Sequence, residues 1–168
     1  EGAPTAIPVA ALLRPPAVNN GLLGTFRSGR DGSGPIAFQQ VDAEISFYFH
    51  NLPLPRPYGV TWTGKLLVPT AGSYRFGLQS VDEAALSIDG QRALDNDGKN
   101  QLREQAVTLE AGWHDIEIVF SDHSNATQIY LYWQPPNGPR EIIPARYLLP
   151  PMGRYPAPEA VGAAALAP

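Results

Sequence analysis

The chain has 168 residues, 16 acidic and 12 basic, for a formal charge of −4; that length suits one domain, and the missing basic surface excludes nucleic acid as a partner. It contains no cysteine, which excludes disulfide frameworks, thiol catalysis and thiolate metal sites. Hydrophobic residues at 43% supply a core, while 16 glycines and 18 prolines interrupt the chain too often for long helices and favour short strands joined by turns.

Residues 1–19 carry Pro4, Pro8, Pro15 and Pro16 and read as an extended lead-in, each proline removing a backbone donor. The folded body is placed at residues 20–150. Within it Ile45, Phe47 and Phe49 make a first candidate strand. Leu52 to Pro57 form a loop pre-stiffened by three prolines, which lowers the entropy lost on binding. In the run from Val60 to Val68, residues Val60, Trp62, Leu66 and Val68 alternate with Thr61, Thr63 and Lys65, the pattern of a strand with one wet face. Tyr74, Phe76 and Leu78 repeat it, as do Leu86 and Ile88, which precede the hairpin pair Asp89-Gly90.

Asp95 to Asn100 imitates the opening of a helix-loop-helix calcium loop, but Asn100 stands where glycine is required and Ala106 where a bidentate glutamate is required. A polar turn between strands is expected there. His114, Ile116, Ile118 and Phe120 form the next alternating run, so His114 is expected to face inward and to need an internal hydrogen-bond partner. Ile129, Leu131 and Trp133 follow. Pro69 to Tyr74 and Leu109 to His114 share an Ala-Gly turn that feeds a strand. Residues 151–168, rich in proline and alanine, read as a linker or tail. No apolar run reaches the roughly 18 residues of a membrane helix and no basic leader opens the chain, so it reads as a mature or excised soluble piece. Six or more short strands indicate an all-β sandwich or barrel.

The motifs Gly21-Leu22-Leu23-Gly24-Thr25-Phe26, Val60-Thr61-Trp62-Thr63-Gly64, Ala71-Gly72-Ser73-Tyr74-Arg75-Phe76, Leu86-Ser87-Ile88-Asp89-Gly90, Ala111-Gly112-Trp113-His114 and Leu131-Tyr132-Trp133-Gln134-Pro135-Pro136 resemble, in content and order, the PA-fourteen domain named after the anthrax protective antigen. The resemblance spans residues 21–148. It implies an antiparallel jelly-roll-like β-sandwich, an exported setting and, in many members, sugar binding by the loops of one end. In the calcium-dependent adhesins of the family, two consecutive aspartates joined by a cis peptide follow the Tyr-x-Phe strand and hold calcium. Here the pair is Val81-Asp82, followed by Glu83 where glycine is common. Valine offers no ligand oxygen, so calcium binding through Asp82, Asp122 and Asn125 is expected to be weak.

Candidate ligand-binding residues are therefore Asp82, Glu83, Asp122, Asn125 and Tyr58. Tyr48, Tyr58, Tyr130 and Tyr132 are expected at the surface, where an aromatic face can stack on a sugar ring. Trp62, Trp113 and Trp133 fall in motifs the resemblance treats as framework and are expected in or near the core. His50 and His123 belong to no Ser/His/Asp order, and no nucleophile motif or phosphate loop is visible. The expectation is a non-catalytic module of a larger exported or membrane-attached protein that recognises a cell-surface or extracellular glycan. The alternative is a structural domain that positions a covalently joined catalytic neighbour, such as a glycosyltransferase or glycosidase.

Overall fold

A computed structural model of the chain describes residues 20–30, 32–48, 52–124 and 126–151. The expected lead-in, nearly all of the tail, Phe49, His50 and Asn125 lie outside the described residues. In chain order the strands are β1 (Leu22–Ser28), β2 (Ile36–Asp42), β3 (Ser46–Tyr48), β4 (Tyr58–Val68), β5 (Gly72–Ser80), β6 (Ala84–Ile88), β7 (Gln91–Asn96), β8 (Gln101–Leu109), β9 (Gly112–Asp122), β10 (Gln128–Gln134), β11 (Glu141–Ile142) and β12 (Leu148–Leu149), with one 3₁₀ turn at Ala145–Tyr147. They form two antiparallel sheets, the expected jelly-roll-like sandwich. The first runs β2-β1-β4-β9-β6-β7 with β12 also on β4, and the second runs β11-β10-β5-β8 with β3 also on β10.

The alternation read from the sequence is the alternation of burial. Val60, Trp62, Leu66 and Val68 of β4 are buried, as are Ile116, Ile118 and Phe120 of β9 and Ile129, Leu131 and Trp133 of β10, because successive side chains of a strand point to opposite faces. Trp62 of the first sheet lies nearly parallel to Phe47 of the second at 5.7 Å between ring centres, and its indole donates to the buried Asp42 Oδ2 at 2.7 Å. The β6–β7 hairpin closes at Asp89 (φ 50°) and Gly90 (φ 74°), the left-handed pair that matches strand twist.

Trp113 departs from expectation. It is 51% exposed, because His114 takes the inward parity of β9 and sends its neighbour outward. His114 is half-buried; its Nδ1 lies 2.6 Å from Asp89 Oδ2 and its Nε2 2.9 Å from the Glu110 carbonyl, which supplies the internal partners it needs.

The connections β5 to β6, β7 to β8 and β9 to β10 all cross between the sheets at one end. At the opposite end the described body opens and closes at one place, the Gly21 amide donating to the Leu148 carbonyl at 3.1 Å.

Candidate functional site at the crossover end

The three crossovers are stitched to one another before any ligand is considered. The turn from Asp97 to Asn100, expected as polar and between strands, bonds through the Lys99 amide to the Val81 carbonyl (3.0 Å) and through the Asn100 amide to the Ser80 carbonyl (2.9 Å). Asn96 anchors it from within, donating to the Leu78 and Gln101 carbonyls and accepting from the Gly98 amide. The stretch that imitated a calcium loop is thus a structural turn.

Asp82 is buried and is held by the β9–β10 loop. Its Oδ2 accepts from the His123 amide (3.0 Å) and the Ser124 amide (2.9 Å), and its Oδ1 accepts from the Ser124 hydroxyl. A buried carboxylate needs such donors to offset its desolvation. Glu83, half-exposed, places Oε2 2.6 Å from His123 Nε2 and receives Arg30 Nη2 on Oε1 at 3.1 Å. These bonds, that from His123 foremost, hold the Glu83 carboxyl below the usual carboxylate range. Arg30 Nη2 also stands 3.2 Å from His123 Nε2, but a nitrogen that donates its proton to Glu83 has no lone pair for Arg30. The cluster is therefore a chain, Arg30 to Glu83 to His123, resting on Asp82.

Asp122 plays a different part. Its fully buried carboxylate pairs with Arg56 Nε at 2.6 Å and accepts from the Thr127 hydroxyl, while Arg56 Nη2 donates to Thr127 Oγ1 at 2.6 Å. Tyr58 is fully buried rather than exposed. It lies opposite Asp122 in the β4–β9 ladder, burial together with that carboxylate raises its hydroxyl pKa well above the ordinary value, and the hydroxyl finds no hydrogen-bond partner among the described residues. No stacking face is available there. Tyr48 is 55% exposed, and Tyr130 and Tyr132 are half-buried.

The structure thus joins Asp82 and Glu83 to the β9–β10 loop, but through His123 and Ser124 rather than Asp122. Calcium fits these groups poorly. Val81 offers no side-chain oxygen, the peptide before Asp82 is not among the cis bonds, both Asp82 oxygens are occupied, Asp122 is neutralised, and a guanidinium lies on Glu83. Among the described residues Asp82, Glu83 and His123 form the one group whose donor atoms converge within 4.8 Å; its imidazole suits a borderline ion such as zinc better than calcium, and Arg30 competes for the same charge. His123, Arg30 and Arg56 were not among the residues expected at the site.

The family model for the PA14 domain, the PA-fourteen domain, matches residues 18–147. Anti-sigma-I factor RsgI3 of Acetivibrio thermocellus is 31% identical over 111 residues, 64% of this chain and 17% of its own length. An anti-sigma factor domain-containing protein from Clostridium clariflavum superposes with a TM-score of 0.71 and 25% identity over 80% of this chain and 48% of that one. The PA14 sugar-binding domain from an RTX adhesin superposes with a TM-score of 0.64 and 22% identity over 79% of this chain and 99% of that one. The chain therefore spans less than half the length of the two anti-sigma relatives, and the sugar-binding domain is similar to it in fold.

Proposed function

This chain belongs to the PA14 domain family, and from that premise we propose that it is a non-catalytic carbohydrate-recognition module of a larger exported or membrane-attached protein, acting outside the cell or at its surface. The observation that carries the reading is the solvent-facing chain Arg30–Glu83–His123, with side chains 63%, 50% and 26% exposed. It stands on a base already fixed by Asp82 and by the Arg56–Asp122 pair. Sugar hydroxyls both donate and accept; a carboxylate flanked by a guanidinium and an imidazole answers both needs without reorganising. The sugar-binding domain of the adhesin, alike in fold, supports the same reading.

A second reading is favoured by the anti-sigma relatives, in which a chain of this kind occupies a minor part of the length. In it the domain contacts or positions a covalently joined neighbour and binds no sugar.

A glycan array, probed with and without a calcium chelator, followed by calorimetry of any glycan retained, separates the two. Binding is expected to survive the chelator and to weaken about tenfold in Glu83→Gln, the loss of one charge-assisted hydrogen bond. Failure to retain any glycan would leave the second reading in its place.

A further inference from the structure

The outer face of the first sheet carries a second arrangement of sugar-complementary groups, far from the crossover end. Odd-numbered residues of β9 point outward there, so Trp113, Asp115 and Glu117 follow one another along the strand. On β4 their ladder partners are Leu67, Lys65 and Thr63, and on β6 Ser87 stands opposite Glu117 from the other side. Glu117 is therefore flanked by two hydroxyl side chains, and Asp115 pairs with Lys65 at 2.6 Å. A shallow cavity of about 300 Å³ lies over this row, with Thr63, Lys65, Ser87, Asp115, Glu117 and Pro151 among its lining residues. Trp113, 51% exposed, stands beside it on the same face. Glu117 lies four positions along the strand from Trp113, roughly 13 Å, the span of a short oligosaccharide.

We propose that this face binds a neutral oligosaccharide laid along β9, one ring stacked on the Trp113 indole and a later ring hydrogen-bonded by Glu117, Thr63 and Ser87. An indole offers a flat π-face to the C–H face of a pyranose, while a carboxylate between two hydroxyls accepts from sugar hydroxyls and lets its neighbours donate to them. Charge selects the occupant. Asp115 and Glu117 outnumber Lys65, and the partly exposed Asp89 turn is adjacent to the same edge, so a uronate or sulfated chain is repelled. The site is separate from the Arg30–Glu83–His123 cluster: along β9, Asp122 lies nine positions beyond Trp113, roughly 30 Å, and five beyond Glu117, roughly 17 Å.

Tryptophan fluorescence tests this on the intact chain, because Trp62 and Trp133 are buried and iodide reaches Trp113 selectively. The probes are cellohexaose, xylohexaose, mannohexaose and, as the anionic control, a polygalacturonate oligomer. At least one neutral probe is expected to protect the emission from iodide, with the polygalacturonate giving no protection. Calorimetry of that probe is expected to show about tenfold weaker binding in Trp113→Ala, the loss of one stacking contact, and several-fold weaker binding in Glu117→Gln. Both positions are exposed, and melting temperature checks that each variant stays folded. Protection retained in Glu83→Gln would place the probe on the sheet face. A probe that binds wild type and Trp113→Ala equally, and is lost in Glu83→Gln, overturns the sheet-face site and leaves the crossover site standing. Absence of protection by every neutral probe overturns it too.

Discussion

A methyl group on Gly24 would stand 2.8 Å from Asp42 Oδ2 and 2.9 Å from Trp62 Nε1, the two atoms of the hydrogen bond that holds one of the two buried tryptophans in register. Neither partner can retreat, since Trp62 is wedged between Phe26 and Phe47. Gly24→Ala is expected to lower stability by about 1–3 kcal/mol through overpacking, read as a lower midpoint in urea; an unchanged midpoint would show that β1 shifts freely. His114 makes a second prediction at this scale. Both its ring nitrogens face acceptors, a carboxylate and a carbonyl, and only the imidazolium can donate to both. The Asp89 hydrogen bond, against the opposing effect of burial, raises its pKa above the ordinary 6.5. A raised histidine pKa means the folded state holds the proton more tightly, so its contribution to stability is complete below the ordinary value and is lost as pH rises through the folded one. Melting temperature should fall across that interval in the wild type and fall less in His114→Gln.

At the scale of strands, the central pairing of β4 with β9 carries the sandwich, and Ile116 faces Gly64 within it. Ile116→Ala removes buried carbon where a glycine cannot fill the space, so a loss of about 2–5 kcal/mol is expected in chemical denaturation. The strands legible in the sequence are those with one wet face and one dry face: β3, read from Ile45 and Phe47, and β4, β5, β6, β9 and β10. Strands such as β8 and β1 lack that contrast. In β8 the residues Gln101, Arg103, Glu104, Gln105 and Ala106 are all exposed, since an edge strand with open flanks sets no period of two. In β1 Leu22, Leu23 and Gly24 are buried in succession, which erases the alternation from the other direction. The candidate site was legible to the same degree. Asp82 and Glu83 stood in a recognisable motif, but the partners that define the cluster, Arg30 and His123, lie 53 and 40 residues from Glu83, and only the fold closes such gaps. Tyr58 misled because a tyrosine beside a proline-rich loop looks exposed, whereas its strand parity with Val60 and Trp62 directs it inward. Trp113 misled in the opposite sense, although its alternation with His114 already directed it outward.

For the molecule as a whole, the Arg56–Asp122–Thr127 lock ties the start of β4 and the end of β9, both in the first sheet, to the segment that enters β10 in the second. Arg56→Ala leaves the Asp122 carboxylate buried without its countercharge, and a loss of about 3–5 kcal/mol is expected, measured by thermal unfolding; Arg56→Lys should restore part of it through charge alone. Because none of this stitching relies on a cation, a chelator should leave the melting temperature of the wild type unchanged, whereas a calcium-built end would soften. The bond between the Gly21 amide and the Leu148 carbonyl has a mechanical consequence. Chain arriving at β1 and chain leaving β12 meet at one corner, and the crossover end lies eight residues of β4 away, roughly 26 Å. Tension applied through the flanking chain passes across that corner and not along the strands. In any longer chain the domain would hang as a pendant, its far loops unloaded, so a grip formed there would not be loosened by stretching the chain that carries it.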